Sequence, residues 1–136
     1  MAFVLDCSVV LAWLLPDEGS EAADRLADRL EHESVYVPSI WSLEVGNALL
    51  VARRRGRIRE SELTRLVRAL AALPVEVDQN PGEAGFGGVM DLARQLGLTT
   101  YDAAYLELAK RRSVPLATLD ESLRRACAVS RIAVLP

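Results

Sequence analysis

Two hydrophobic rhythms alternate along the chain. Short apolar runs rich in β-branched residues (FVLD at 3–6, VYV at 35–37, VEV at 75–77, PLAT at 115–118 and RIAVLP at 131–136) are separated by longer stretches whose apolar residues recur at helical spacing. The first such stretch predicts a helix from Ser8 to about Leu15, with Ser8 placed to cap it, and the second a charged helix from about Glu18 to Glu33. A long helix starts at Ser39 or Ile40 and runs through WSLEVGNALLVARRR, with Gly56 suited to its C′ position. ESELTRLVRALAAL is the next helix, and Pro74 stops it. DQNPGEAGFGG predicts a loop leading into a helix from about Phe86 or Gly87 to Leu96, which Gly97 ends. Thr99 or Thr100 caps the helix YDAAYLELAKRR, and Asp120 can cap the short helix ESLRRAC. Strands alternating with helices imply an α/β fold with a mostly parallel sheet covered on both faces. A length of 136 residues predicts one domain, 1–136.

Composition narrows the chemistry. The longest apolar run near the N-terminus, VVLAWLL, is closed by Pro16, far short of the ~20 apolar residues needed to cross a bilayer, and no signal-peptide pattern precedes FVLD. A cytoplasmic protein without membrane attachment is expected. Cys7 and Cys127 are too few for a disulfide framework and lack zinc-ligand spacing, so both are expected to be reduced and buried. His32 is the only histidine and sits in a charged segment, which removes the base that Ser-His and Cys-His mechanisms require. A net charge of −3 argues against a generally basic surface but not against a local patch. Arg53, Arg54, Arg55, Arg57 and Arg59 gather around Gly56, and Lys110, Arg111 and Arg112 close a later helix. Such clusters suit either helix C-termini or contact with an RNA backbone, with Arg53, Arg54, Arg55 and Arg57 the candidates for the second. The glycines near Gly85 form neither GxGxxG nor GxxxxGK[ST], so a phosphate-cradling loop is not expected.

The acids carry the sharper signal. Asp6 follows the first strand-like run and Asp120 a late one, and in an open parallel sheet the carboxyl ends of strands face the ligand crevice. Glu44 and Asp102 lie on otherwise apolar helical segments, Glu44 on a face with Ile40, Leu43, Asn47, Ala48 and Val51 that is expected to be largely buried. Each acid has a structural alternative: Asp120 as a helix cap, Asp6 as a strand-end turn residue, Asp102 as a first-turn acid favoured by the helix dipole. Four acids drawn together without a cation would repel one another, and oxygen-only ligation selects Mg²⁺ or Mn²⁺. Such a site suits phosphodiester hydrolysis. Ser8 and Thr118 supply hydroxyls near Asp6 and Asp120, and Asn47 lies one turn beyond Glu44, so these three are supporting candidates.

Asp6 in VLDCSVV, Glu44 in PSIWSLEVGNALL, Asp102 in TTYDAAYLELA and Asp120 in LATLDESL resemble, in order and spacing, the four acidic motifs of PIN-domain nucleases. The compact length and PSIWSLEVGNALL are similar to the VapC-type toxins of bacterial toxin–antitoxin pairs. The resemblance implies a Rossmann-like PIN domain with a five-stranded parallel sheet ordered 3-2-1-4-5, and a Mg²⁺- or Mn²⁺-dependent endoribonuclease whose metal-binding residues map onto Asp6, Glu44, Asp102 and Asp120. It also implies inhibition by a cognate VapB-type antitoxin. Leucine and valine in the helix pair from Ile40 to Leu73 exceed what one buried face needs; they are expected to form a groove for an antitoxin helix, or to fill the core and a homodimer seam. Three alternatives compete. A PIN fold kept as a protein-binding module needs no nuclease activity. A phosphorylation receiver domain needs a strand-end lysine, and Lys110 lies in a helical segment. A haloacid-dehalogenase-like phosphatase needs Asp-x-Asp where this chain has Asp6-Cys7-Ser8.

Overall fold

A computed structural model describes residues 1–79 and 86–136. β1 (Ala2–Leu5), β2 (Ser34–Pro38), β3 (Val75–Asp78), β4 (Leu116–Ala117) and β5 (Val134–Leu135) form one sheet in the order β3-β2-β1-β4-β5, with every pairing parallel. Flanking it are the helices α1 (Cys7–Leu14), α2 (Glu21–Arg29), α3 (Trp41–Arg54), α4 (Glu60–Ala71), α5 (Gly88–Leu96), α6 (Thr100–Arg112) and α7 (Glu121–Val129). The expected strand order is the observed one.

β1 occupies the centre because it can be buried on both faces: Phe3, Val4 and Leu5 are fully enclosed, as a continuous apolar run in a covered parallel sheet must be. α6 packs on β1, β2 and β4, and α1 packs against α2 and α3. The edge strand β3 is half exposed and short, and Glu76 places a charge on it, features that discourage pairing with another sheet.

The local signals for helix ends act as expected at several points. Gly56 and Gly97 take left-handed backbone, with φ of 73° and 66°, just past the ends of α3 and α5. Thr99 caps α6 through the Asp102 N–H, and Asp120 caps α7 through the Leu123 N–H. Three expectations need correction. Ser8 does not cap α1; the helix begins at Cys7, Asp6 holds the cap position by backbone alone, and the Ser8 hydroxyl is engaged elsewhere. The charged helix does not begin at Glu18: Pro16–Glu18 forms a separate 3₁₀ turn, and α2 starts after Ser20, whose hydroxyl accepts from the Ala23 N–H. Nor does it reach Glu33, because a turn follows Arg29 and carries His32. The glycine-rich loop expected before α5 falls largely on residues 80–85, outside the described residues; α5 itself starts at Gly88.

The end of α6 is bolted to the edge strand. Arg111 donates to Asp78 at 2.5 and 3.2 Å and to Glu107 at 2.7 and 3.2 Å, while Arg112 reaches Asp78 at 3.2 Å and stacks 3.9 Å from the Tyr36 ring centroid. The Arg111 guanidinium, with Arg112, holds the Asp78 carboxyl below its ordinary value. A lowered carboxyl pKa stabilises the fold above the ordinary value of 3.8 and loses that contribution as pH falls through the folded-state value. Asp78→Asn is therefore expected to cost about 1–3 kcal/mol in urea unfolding at pH 7, and the gap between variant and parent should close as the pH is taken below 4.

Candidate active site

The centre of the site is a carboxylate stitched across two strands. Asp6 leaves the end of β1, its N–H donates to the Ala117 carbonyl of β4 at 3.0 Å, and its side chain is only 5% exposed. Asp6 Oδ2 accepts from Ser8 Oγ at 2.6 Å and from the fully buried Thr118 Oγ1 at 2.7 Å. Each hydroxyl has a single proton and spends it on Asp6, so the 3.3 Å approach of Ser8 to Thr118 is a contact rather than a third bond. Both hydroxyl oxygens accept in turn from backbone: Ser8 from the Leu119 N–H at 2.9 Å, Thr118 from the Asp120 N–H at 3.1 Å. Ser8 lies beside Asp6, and Thr118, whose hydroxyl the sequence places near Asp120, donates to Asp6 instead and meets Asp120 only through its backbone N–H; the Leu119 bond leaves Ser8 unavailable as a cap.

Glu44 projects from the first turn of α3 and accepts from Tyr105 Oη at 2.8 Å. Tyr105 is fully buried and was legible in the sequence only as packing; its spacing three residues after Asp102, on the same turn of a helix, is the signal that ties it to the acids. The surroundings of Glu44 are less buried than expected, since Leu43 is 74% exposed and Asn47 is exposed as well. Asn47 is not drawn into the network described above. Asp102 lies half-buried in the first turn of α6, and Asp120 is exposed, with Oδ2 2.9 Å from the Leu123 N–H that it caps.

The acids feel one another. Burial pushes the Asp6 carboxyl above its ordinary value against the pull of its two hydroxyl donors. Glu44 is raised by burial, with the Asp6 and Asp102 charges adding to the shift, and Asp102 is raised by burial and by the charges of Asp120 and Asp6. None of the four forms an ion pair among the described residues. Burial and the Asp6 charge also push the Cys7 thiol up to about 12, which leaves it inert as a nucleophile.

An oxygen-only, negatively charged donor set that makes no ion pair among the described residues, with Arg124 at the site donating to the Thr118 carbonyl and not to an acid, fits a hard divalent cation. No three His, Cys, Asp or Glu side chains among the described residues form a ready-made ligand cluster, so gripping an ion takes side-chain rotation or bridging water. That suits Mg²⁺, which commonly keeps several waters and takes only one or two carboxylates.

The arginines lie elsewhere. Arg53 is bonded to Glu60, Arg57 to Asp17 and Glu18, and Arg59 to Glu62, whereas Arg54 and Arg55 make no ion pair among the described residues. Arg53 follows Glu44 by nine helical residues, roughly 14 Å along the axis of α3 at 1.5 Å per residue.

Residues 3–129 match the family model of the PIN domain, and the chain belongs to the PIN domain family. It is 31% identical over 123 residues to Ribonuclease VapC3 of Pyrobaculum aerophilum, an alignment spanning 90% of this chain and 92% of that protein. Its fold is similar to the crystal structure of FitAcB from Neisseria gonorrhoeae (TM-score 0.68, 20% identity, 98% of this chain and 96% of that one). It is likewise similar to that of VapBC2 from Rickettsia felis bound to a DNA fragment from their promoter (TM-score 0.69, 12% identity, 98% and 97%). Family membership sets aside the receiver-domain and dehalogenase-like alternatives.

Thr118→Val removes the proton that Asp6 accepts and the oxygen that the Asp120 N–H needs, at nearly constant shape. It is expected to lower unfolding free energy by about 1–3 kcal/mol in urea titrations. The raised carboxyls act with the opposite sign to Asp78: their charged forms strain the fold, so stability in EDTA should fall as pH rises from about 4.5 through their folded-state values. Asp6→Asn should flatten that slope.

Proposed function

We propose that this chain is a Mg²⁺- or Mn²⁺-dependent endoribonuclease, the toxin of a type II toxin–antitoxin pair, acting in the cytoplasm and restrained by a VapB-type antitoxin. The observation that carries the reading is the buried Asp6 carboxylate, which has no ion-pair partner among the described residues and whose charge raises Glu44 and Asp102. Family membership and similarity to a protein named Ribonuclease VapC3 support it.

Asp6, Glu44, Asp102 and Asp120 are the residues that would hold the cation. When bound, the cation supplies Lewis acidity towards phosphate oxygens and lowers the pKa of water, which carboxylates alone cannot do. Ser8 and Thr118 fix the direction of Asp6, and the buried Tyr105 fixes Glu44, so both acids are oriented before substrate arrives. Left uncompensated, the same acids repel a polyanion. RNA engagement is therefore tied to metal loading. In Mn²⁺ the protein should cleave RNA to 5′-phosphate ends; EDTA should abolish cleavage, and Asp6→Asn and Asp102→Asn should each lower it by about two orders of magnitude or more while remaining folded. Saturation of the native state at a hundredfold excess over Kd adds ~2.7 kcal/mol, so Mn²⁺ should raise the melting temperature of the parent well above that of Asp6→Asn, with NaCl of equal ionic strength as the control. Cleavage undiminished in EDTA or in both variants would return the chain to a PIN-fold binding module.

The antitoxin site has its own support. Trp41, Val45, Leu49, Leu50, Leu63 and Val67 line an apolar groove of about 440 Å³ between α3 and α4. Gly46, also on this groove, is an interior helix glycine whose added Cβ would meet nothing within 4 Å. A glycine there costs the isolated helix about 1 kcal/mol relative to alanine, and open space beside it suits the close approach of a partner helix. Gly46→Leu and Leu50→Glu should fold normally, retain ribonuclease activity, and bind the protein encoded by the neighbouring gene at least tenfold more weakly. Equal binding by both variants would place the partner elsewhere. A homodimer is part of the same proposal, and sedimentation at micromolar concentration should detect it.

A further inference from the structure

The acids are not the whole of the charge at the seam. Arg124 lies on α7, one turn beyond Asp120; its backbone N–H donates to the Asp120 carbonyl at 2.9 Å, and the two side chains leave the same face of the helix. Its Nη1 donates to the Thr118 carbonyl at 2.8 Å. Thr118 is therefore held at both ends, because its hydroxyl donates to Asp6 Oδ2 at 2.7 Å while its carbonyl accepts from the guanidinium. One residue separates the guanidinium from the buried acid of the site. Burial raises the Cys127 thiol, one turn further along α7, to about 11, and on that one atom Arg124 and Asp6 act with opposite sign, the cation lowering it and the carboxylate raising it. The Thr118 N–H donates to the Leu135 carbonyl at 2.9 Å and α7 packs against β5, so Arg124 stands on the β5 flank of the crevice.

The partner of Arg124 decides what it can do. Arg29, Arg53, Arg57, Arg59 and Arg111 each face a carboxylate, whereas Arg124 makes no ion pair among the described residues, although Asp120 and Glu121 are close to it in the chain. A carbonyl aims a guanidinium without neutralising it. Its partly buried side chain is anchored at one N–H, and the rest of the planar fork keeps its full positive charge. Among the described residues no other arginine or lysine bonds to Asp6, Ser8, Thr118 or the backbone that holds them. Such a group matches a phosphate, whose oxygens a guanidinium takes two at a time. The acids repel a polyanion, so a cation that stands beside them and is not bound by them offsets that repulsion where a nucleic-acid strand would enter or leave.

We propose that Arg124 is a substrate-binding residue, its guanidinium aimed by the Thr118 carbonyl at a phosphate of the RNA strand that neighbours the scissile one, on the β5 flank of the crevice. Its effect on cleavage rests on the ribonuclease reading; the phosphate contact itself does not. Arg124→Gln removes the charge and leaves an amide donor, and Arg124→Lys keeps the charge and loses the fork. Binding of a labelled single-stranded RNA in Mn²⁺ is measured on Asp6→Asn protein with and without each change, and cleavage on the parent with and without them. Across about 50 to 300 mM NaCl, Arg124→Gln should weaken binding roughly fivefold or more and make the slope of log K against log salt shallower by about 0.7, the value for one phosphate of a single strand. Arg124→Lys should keep the slope and recover part of the affinity. In the parent, Arg124→Gln should lower kcat/KM roughly tenfold, chiefly through KM, with the urea midpoint unchanged. An unchanged slope while the parent still cleaves overturns the contact and leaves the nuclease standing; if the urea midpoint also falls, Arg124 is a strut between α7 and β4. A shallower slope with no cleavage by the parent overturns the nuclease and leaves the contact. RNA neither bound nor cleaved overturns both. Should Arg124→Gln fail to fold, the ¹⁵Nε resonance of Arg124 in Asp6→Asn protein decides: a shift on adding RNA that NaCl does not produce sustains the contact, and no shift overturns it.

Discussion

The bond from Thr118 Oγ1 to Asp6 Oδ2 joins residues 112 positions apart and closes the seam between β1 and β4. That seam is where the strand order reverses direction, the place in an open parallel sheet where a crevice forms. A carboxylate there would be costly if left bare; two hydroxyl donors make its burial tolerable without neutralising it. Because both hydroxyls also accept from the backbone just after β4, one local network sets the course of the chain into α7, the position of Asp120 and the aim of Asp6. Packing of the apolar β1 brings the strands together, and the polar seam decides how their ends meet.

The ion-paired arginines lie away from that seam, where Arg124 donates to the Thr118 carbonyl and to no site acid among the described residues. Arg29, Arg53, Arg57, Arg59 and Arg111 are each taken by acids outside the site. Like charges are thus concentrated where burial already disfavours them, an arrangement that works against stability and that, under the proposed function, a bound cation would relieve.

Helix α3 connects the separate surfaces. Its first turn carries Glu44, and the same helix presents Gly46, Leu49 and Leu50 to the apolar groove against α4. Under the proposed function, a partner helix lying in that groove would pass within a turn or two of an acid, close enough for a basic side chain to reach the site. Inhibition would then follow from proximity and charge without a conformational change.

Much was legible in the sequence because it depends on near neighbours. The FVL run, the caps at Thr99 and Asp120, the chain reversals at Gly56 and Gly97 and the alternation that implies a parallel sheet all follow from backbone sterics, capping and periodicity within a few residues. The acids at positions 6, 44, 102 and 120 stood out because carboxylates in apolar segments need a reason. Tertiary structure alone decided the rest. Tyr105 meets Glu44 across 61 residues, Thr118 meets Asp6 across 112, and Arg57 is claimed by Asp17 across 40. No periodicity or propensity encodes such pairings. Ser8 shows the limit most clearly: as a local signal it is a helix cap, whereas in the fold it stands inside α1, gives its proton to Asp6 and spends on the Leu119 N–H the oxygen with which a cap would accept.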